Sequence, residues 1–478
     1  MEKKNNQNIV VKATMWYTIS NILLKSVSLF TAPIFTRLLD PADYGIATNF
    51  LSWTNIISCV TGLGLTTAVM RGKIEYKNEF YPFLSSLQFL GMSFTLFCSI
   101  IMLLSIRFWE SVTKLDSVCI SVMLIYLLFY QSLEFAQTKY RFDYEYKKCV
   151  AISVINAFGN VILSIILVLA LPNQKYLGRI LGQAVPYVII GFYFSIQFFI
   201  KGKTLFDKRY WNYAVRLGIP IIPHSLAMII LAQVDRVMIV NFIGESEAGI
   251  YSFGYSYSIL LSVITNAINY AVQPQMYDAL KNRDDKRLRI LTDQIMMGVF
   301  FLVCIQIVLA PEALMLLGTK EYFDARWVVF PVVIGTMLQF VYQNFGVVEI
   351  YYNKTICMSI GSIGAAIVNY FLNTIFIPKN GYIAAAYTTL VSYGLLMIFH
   401  YIMSCIVAKR KVYNIFILLK YPLLTLVVGM IINFFYDFPW FYRYIFAGLI
   451  VSTIVIFKYK ELSKWCEYSN IILRKKNE

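Results

Sequence analysis

Residues 80–106, FYPFLSSLQFLGMSFTLFCSIIMLLSI, form a block of 27 positions without a charged side chain. About 20 apolar residues let an α-helix cross a bilayer, whereas a barrel strand needs only about 10. Because backbone hydrogen bonds must be satisfied inside the lipid, the block predicts a membrane-spanning helix. Similar blocks predict fourteen spans in all, at roughly residues 14–38, 45–70, 80–106, 114–137, 149–171, 177–200, 211–242, 248–275, 291–317, 326–352, 355–377, 382–408, 413–436 and 440–458.

The composition of the 478-residue chain supports an all-α, polytopic membrane protein. Hydrophobic residues make up 59% of it and charged residues 14%, whereas a soluble domain carries about 25% charged residues. The first apolar segment is long, contains Lys25 and lacks a small-residue cleavage site, so we expect a retained span rather than a signal peptide. The connections between spans are short and leave no room for a soluble catalytic domain, so we do not expect an enzyme.

Cysteine and histidine are too sparse for a metal centre. The eight cysteines form no CxxC pair, and the only histidines are His224 and His400. We therefore expect neither a metal site nor a disulfide framework. The cysteines are expected to serve as small apolar side chains in the core.

The basic residues predict the orientation of the chain. If the N-terminus is cytoplasmic, 29 of the 42 lysines and arginines lie in cytoplasmic segments and 9 in the opposite loops. Cytoplasmic loops are enriched in Lys and Arg, so both termini are expected in the cytoplasm. Basic loops that face anionic membrane lipids also account for the net charge of +16, and nucleic-acid binding is not needed to explain it.

Two sequence markers indicate an internal duplication. LDPADYGI at residues 39–46 and IGESEAGI at residues 243–250 align at an offset of 204, each with Gly-Ile opening a helix. Pro172 with Tyr176 and Pro378 with Tyr382 align at an offset of 206. Since six spans are an even number, the two copies would share an orientation, as in parallel transporter repeats with a site between the copies. We predict six-helix bundles at 1–200 and 201–408, followed by two further helices and a cytoplasmic tail at 409–478.

Charged groups within predicted spans mark candidate binding residues, because an unpaired charge in lipid is costly. Lys25 and His224 lie equally deep in the first and seventh spans, which are repeat partners, and prolines bend both helices nearby. We expect the two groups to converge on a central cavity.

Three acidic residues are candidates for coupling transport to an ion. Asp235 either forms a salt bridge with a neighbouring helix or binds a coupling cation, and Arg236 beside it adds positive field. Glu134 and Glu349 lie near the inner ends of the fourth and tenth spans, which suits either an interfacial position or a coupling role.

The eighth predicted span carries its polar residues on one face. They fall within an arc of about 80° at 100° per residue, and they are Tyr251, Tyr255, Ser258, Ser262, Asn266, Asn269 and Gln273. A weaker stripe on the second span includes Asn55. A polar face on a membrane helix indicates either a helix contact or a wet cavity; the amides and tyrosines favour a cavity that binds sugar hydroxyls.

The run FTRLLDPADYG at residues 35–45 resembles the F-x-x-R-x-L-x-P-x-x-Y-G signature of polysaccharide-unit flippases. These proteins belong to the multidrug/oligosaccharidyl-lipid/polysaccharide exporter superfamily. Two further segments are similar, from Gln233 to Tyr251 and from Asn380 to Ala386. The resemblance covers nearly the whole chain, including the number of spans.

The resemblance implies a flippase in a bacterial cytoplasmic membrane that moves an undecaprenyl-diphosphate-linked oligosaccharide to the outer leaflet for capsule- or O-antigen-type polysaccharides. A polysaccharide polymerase and a chain-length regulator would be partners, and Na⁺ or H⁺ would be the coupling ion, with no other cofactor. In related flippases cationic residues near the first helix meet the diphosphate, which suits Lys25 and, within the motif, Arg37. The last two spans resemble those that hold the lipid tail in a peptidoglycan-precursor flippase.

Two alternatives remain open. A membrane glycosyltransferase or polysaccharide polymerase would handle the same lipid, but it would need large loops or an acidic motif, for which only Asp40 and Asp43 qualify. A cation-coupled drug antiporter of the same superfamily would favour acidic residues deep in the first half, where this chain has Lys25.

Overall fold

The computed structural model describes residues 31–354, 356–450 and 452, and the regular elements in these ranges are all helices. They are α1 (described over 31–38), α2 (Pro41–Thr61), α3 (Leu65–Glu75), α4 (Phe80–Leu104), α5 (Ile106–Thr113), α6 (Ser117–Phe142), α7 (Tyr146–Ala170), α8 (Lys175–Gly202), α9 (Lys208–Gly218), α10 (Ile222–Phe242), α11 (Glu245–Ser258), α12 (Leu260–Lys281), α13 (Asp285–Val308), α14 (Ala310–Leu317), α15 (Arg326–Tyr351), α16 (Ile356–Asn380), α17 (Ile383–Ala408), α18 (Ile415–Phe434) and α19 (described over 440–450). The predicted all-α class is confirmed.

Ten helices in the described ranges are long and apolar enough to cross a membrane, and eleven if the bent pair α2–α3 counts as one span. These eleven coincide with the predicted spans two to seven and nine to thirteen, and the chain is a multi-pass membrane protein. The first predicted span is described only from residue 31 and the last only as far as residue 452. The total of fourteen spans and the cytoplasmic position of the termini stay predictions.

The predicted eighth span, 248–275, is not one helix. It is broken at Ile259 into α11 and α12, and neither helix is among the candidate spans. α11 has only 14 residues, and α12 carries amides together with Asp278 and Lys281. At the break, the amide of Gln306 on α13 donates to the carbonyl oxygens of Tyr257 and Ser258 at 2.8 and 3.2 Å. A side chain inserted at helix carbonyls is a known cause of a break.

The second and the seventh predicted spans are also broken, and their breaks lie against each other. α2 and α3 meet at 46° through Leu63 and Gly64, both in the left-handed region with φ of 49° and 62°. α9 and α10 are separated by the 3₁₀ turn Ile219–Ile221, which contains Pro220. A Cβ on Gly64 would lie 2.5 Å from the carbonyl oxygen of Gly218, so the two backbones are in direct contact.

Contacts between loops define two ends of the bundle. At the end named here the basic end, Lys73 pairs with Asp143 at 2.7 Å and Arg410 pairs with Asp285 at 3.2 Å. At the other end, which carries residues 35–45 and is named the motif end, the hydroxyl of Tyr322 donates to the carbonyl oxygen of Leu39 at 3.1 Å. Successive connections between the helices therefore lie at opposite ends of the bundle, as expected for consecutive spans.

The N-terminal and C-terminal parts have separate apolar cores. One core, centred on residues such as Phe83 and Phe135, lies among α3, α4, α6, α8 and α9, and a larger one lies among α12 to α18. The parts meet where α2 packs against α10 and α11. α9 packs against α3 and α4, so the seventh predicted span begins on the N-terminal part. The division at residue 200 stays a prediction.

Candidate functional site

A cavity of about 280 Å³ lies among α10, α12, α15, α16 and α17, toward the basic end. Four predicted substrate residues line it, namely His224, Asn266, Asn269 and Gln273. The other lining residues are Met228, Met276, Tyr342, Gln343, Gly346, Val347, Ile350, Met358, Ser362, Leu396 and His400. The amides of α12 therefore line a cavity, and their role in binding substrate stays a prediction.

Hydrogen bonds orient the amides of this cavity. Asn269 Nδ2 donates to Gln343 Oε1 at 2.6 Å, and Gln273 Nε2 donates to the hydroxyl of Tyr277 at 3.1 Å. Asn266 lines the cavity beside them and is half-buried. Amides and a phenol that both donate and accept suit a ligand rich in hydroxyl groups.

Both histidines of the chain line this cavity, although they are 176 positions apart. His224 Nδ1 lies 2.8 Å from Ser362 Oγ, and His400 Nδ1 lies 2.7 Å from Glu349 Oε1. Glu349 is fully buried, so the structure pairs this predicted coupling residue with a histidine inside the bundle rather than at an interface. The sequence analysis did not assign His400, because it named no counterpart for His400 in a repeat-partner span, as Lys25 is for His224.

Asp235 lies in a buried cluster of oxygen and amide groups with 2% of its surface exposed. It accepts hydrogen bonds from Tyr251 at 2.6 Å, from Asn373 at 2.7 Å and from Thr389 at 2.7 Å. Thr388 in turn donates to Asn373. Tyr251 is thus fully buried behind Asp235, away from the cavity of α12, whose lining does not include it.

The sequence analysis missed the partners of Asp235. Asn369 and Asn373 are four residues apart on α16, so they face the same side, and they bond to each other at 3.2 Å. Two amides at this spacing in a membrane helix were the available signal. One carboxylate with amide and hydroxyl oxygens is a donor set for a hard cation, whereas the described residues hold no group of three His, Cys, Asp or Glu side chains.

Arg236 lies at the contact between the two parts of the bundle and is 8% exposed. Its guanidinium donates to the carbonyl oxygen of Ala232 at 3.0 Å and to Gln233 Oε1 at 3.1 Å, and it lies 4.4 Å above the ring of Tyr255. Gln233 also accepts from Ser52 of α2 at 3.1 Å. In the described ranges, the groups hydrogen-bonded to the Arg236 guanidinium are all neutral.

A second cavity, of about 240 Å³, lies beside the α2–α3 break and contains Glu134. Glu134 accepts a hydrogen bond from Tyr187 at 3.2 Å, and Tyr130 and Gln131 of the same helix share the lining. Ile222 and Ser225 of α10 complete the opposite wall. Asn55 is partly buried one turn before this cavity and lines neither of the two.

Of the remaining predicted cations, Arg37 is not brought to these cavities. Arg37 is exposed at the motif end, where it donates to the carbonyl oxygens of Pro33 at 2.7 Å and Leu316 at 3.2 Å. There it lies at the carbonyl end of α14, a favourable place for a cation. Lys25 lies outside the described residues.

Comparison with known proteins places this geometry in a family. The family model described as polysaccharide biosynthesis protein matches residues 10–279, more than half of the chain. Protein 1 of the Lsg locus of Haemophilus influenzae is 22% identical over 282 residues, which cover 57% of this chain and 67% of that protein.

Solved structures share the fold at low sequence identity. The lipid II flippase MurJ, in an inward closed conformation, aligns at 15% identity with a TM-score of 0.71, over 94% of this chain and 100% of that one. An inward-facing multidrug resistance MATE family transporter of the MOP superfamily aligns at 14% identity with a TM-score of 0.61, over 81% and 96%. The sequence resemblance is thereby confirmed: the chain belongs to the polysaccharide biosynthesis protein family and has the fold of MurJ and the MATE transporters.

Proposed function

We propose that the protein is a flippase that carries an undecaprenyl-diphosphate-linked oligosaccharide from the inner to the outer leaflet. The observation that supports this most directly is Arg236, a cation buried between the two parts of the bundle with neutral bonded partners in the described residues. The carboxyl group of the neighbouring Asp235 is hydrogen-bonded by Tyr251, Asn373 and Thr389, and not by this guanidinium. A buried charge without a bonded counterion is costly. A diphosphate entering between the parts would supply a negative charge that bonds Arg236 directly.

The two ends of the substrate would meet different groups. The diphosphate would contact Arg236 and, from the first span, Lys25, since attraction between opposite charges strengthens where water is scarce. The sugars would contact the amides of Asn266, Asn269 and Gln273 in the larger cavity. Rocking of residues 1–200 against 201–408 would expose the path to each side in turn, while the lipid tail stays in the bilayer along the last two spans.

Coupling to an ion gradient is assigned to the cluster around Asp235. Loss of its hydrogen bonds to Asn373 and Thr389 would leave oxygens of several side chains to bind Na⁺, and protonation of the carboxylate would serve H⁺. Glu134 and Glu349 are further candidates, each beside a cavity.

The proposed setting is a bacterial cytoplasmic membrane, with both termini in the cytoplasm. The products of transport would pass to a polysaccharide polymerase and a chain-length regulator in the synthesis of capsule- or O-antigen-type polymers. In this scheme the protein moves its substrate and catalyses no covalent step.

The test is transport of a fluorescent lipid-linked oligosaccharide in proteoliposomes. We expect Arg236→Gln and Lys25→Ala each to reduce the rate at least about tenfold, which corresponds to about 1.4 kcal/mol of lost interaction. Arg107→Gln, which removes an exposed arginine at the motif end, is the matched control and should transport normally. Normal transport by Arg236→Gln would refute the assigned role of that residue, and no transport by the unaltered protein would refute the flippase proposal.

The Asp235 cluster favours one second candidate, a cation-coupled antiporter of small molecules. Such a protein would expel cationic dyes from proteoliposomes when a Na⁺ or H⁺ gradient is imposed, and Asp235→Asn would abolish the expulsion. Dye movement without movement of lipid-linked oligosaccharide would select this candidate.

A further inference from the structure

The larger cavity holds two histidines whose Nδ1 atoms are both fixed by the protein. The hydroxyl of Ser362 directs its single proton to the carbonyl oxygens of Met358 and Ser359, at 2.9 and 3.1 Å. In this arrangement Ser362 Oγ accepts from His224, and Nδ1 of His224 is the donor. Neutral His224 then carries its proton on Nδ1 and presents an unprotonated Nε2, which has no hydrogen-bond partner in the described part of the chain.

The second histidine is paired with a buried carboxyl group. His400 and Glu349 are 1% and 0% exposed, and Glu349 Oε2 has no partner among the described residues. A buried carboxylate is stable only when it is compensated, and His400 is the partner that the described residues offer to Glu349. A proton on His224 has no such carboxylate beside it, since Ser362 is neutral.

One turn of α16 brings the two histidines together. Ser362 bonds to His224, and a Cβ on the adjacent Gly361 would lie 3.0 Å from Nε2 of His400. The glycine thus leaves room for the second ring on the same wall. The ring of Tyr342 stacks against His400 at 5.3 Å from its other side.

Among the described residues, the titratable groups that line the two cavities besides His224 are Tyr342 and His400 at the first, and Cys59, Tyr130 and Glu134 at the second. Glu349 is bonded to His400, and Asp235 and Arg236 lie three turns along α10. The wall formed by α12 contributes amides and methionine. Protonation of Nε2 would therefore give the cavity a positive charge that an anionic ligand can neutralise.

We propose that this cavity binds an acidic sugar residue through its carboxylate, and that binding is coupled to protonation of His224. The volume of about 280 Å³ is just below the range of roughly 300–1,000 Å³ for drug-sized ligands, so it suits one sugar residue rather than a whole oligosaccharide. Protonated His224 donates from Nε2 to the carboxylate, and the amides of α12 bond the ring hydroxyls. The inference depends on the proposed function in one respect only, namely that this sugar is part of a transported headgroup.

Histidine-selective NMR tests the site directly, because the chain gives only two histidine signals. The full-length protein with a histidine-free tag is labelled on the imidazole carbons and nitrogens, and His400→Gln assigns the signals. We expect neutral His224 in the Nδ1–H form and glucuronate to convert it to the protonated form at neutral pH. An Nε2–H form, or the same spectrum with and without glucuronate, would overturn the proposal.

Binding measurements in a weakly buffered solution give a second readout. Glucuronate binding should take up close to one proton, and its affinity should fall about tenfold per pH unit above the titration of His224. Glucose, which lacks the carboxylate, should bind weakly and take up no proton. Equal binding of glucose and glucuronate, or phosphate binding with equal proton uptake, would refute the acidic sugar as the ligand.

Two variants distinguish the protonation of His224 on ligand binding from a purely structural role of this residue. His224→Gln keeps a polar side chain and should abolish proton uptake, leaving glucuronate binding independent of pH. Ser362→Ala should shift His224 away from the Nδ1–H form, whereas Ser359→Ala, the same change three residues earlier on α16, should not. Proton uptake that persists in His224→Gln would overturn the proposal. Intact uptake without lipid transport would instead reject the flippase and leave this site standing.

Discussion

The motif end and the basic end join the two parts of the bundle in different ways. Near the motif end α2 crosses α11 with backbones in contact, since a Cβ on Gly45 would lie 1.8 Å from the carbonyl oxygen of Glu245 and one on Gly249 would lie 1.9 Å from that of Pro41. Toward the basic end the backbones of the two parts touch at Gly64 and Gly218, and the two polar cavities lie on that side. Of these backbone contacts, those near the motif end are the closest.

The crossing also has the symmetry that the sequence repeat suggested. Gly45 and Gly249 are 204 positions apart, and so are Thr48 and Ser252, whose hydroxyls lie 3.0 Å from each other. Residues that contact their own repeat partners lie on the axis between the copies. An offset found in the sequence therefore coincides with a contact in space, at the place where the two parts touch.

The largest expected effect follows from filling this crossing. Gly45→Ala and Gly249→Ala each place a Cβ against backbone atoms that cannot rotate away, and overpacking costs typically 1–3 kcal/mol. We expect each variant to lower the midpoint temperature of thermal unfolding. Because the added methyl group would push α2 and α11 apart, the thiol of an additional Ser252→Cys substitution should react faster with a water-soluble thiol reagent in each variant than in the protein with both glycines.

Gly298→Ala and Gly364→Ala are the controls for this experiment. Both are helical glycines on α13 and α16 with no atom within 4 Å of an added Cβ. Replacing glycine by alanine within a helix should stabilise these variants slightly. An unfolding midpoint for Gly45→Ala as high as for the controls would contradict the tight crossing.

The crossing shows how far the sequence could predict this molecule. Long uncharged blocks were enough to predict eleven spans, because lipid imposes one solution on the backbone. The break at Ile259 was not predictable, since it depends on Gln306 from another helix. The same holds for the site: the polar stripe predicted a cavity lining, but the contacts of His400, Asn373 and Thr389 depend on how α10, α15, α16 and α17 pack together.

A smaller effect is expected at the contact nearer the basic end. Gly64 has φ of 62°, where an L-residue costs about 1–2 kcal/mol, and an added Cβ would also meet the backbone of Gly218 at 2.5 Å. Gly381 has φ of 79° but no atom within 4 Å. We expect Gly64→Ala to lower the midpoint temperature of unfolding more than Gly381→Ala does. Because both glycines have a positive φ, the difference between the two variants measures the contact of residue 64 with Gly218. Equal midpoints would mean that the two breaks do not support each other.

The smallest effect concerns the ion pairs that fasten α3 at the basic end. Asp143 lies 2.7 Å from Lys73 and 3.0 Å from Lys139. Burial raises the pKa of this carboxyl, but hydrogen bonds and attraction from the two lysines outweigh it and hold the pKa below its usual 3.8. Because the pKa is lower in the folded protein, the stabilisation is complete above about pH 4 and is lost as the pH falls through the lowered value.

Asp143→Asn tests this attachment through thermal unfolding at two pH values. At pH 7 the variant should unfold at a slightly lower temperature, by an amount that shrinks in high salt because the pairs are partly exposed. Once the pH has fallen below the lowered pKa of Asp143, the variant and the unaltered protein should converge, since both then carry an uncharged side chain at position 143. A difference in unfolding temperature that persists at low pH would show that Asp143 acts through its shape or hydrogen bonds rather than its charge. The basic end would then be held, like the motif end, by contact rather than by charge.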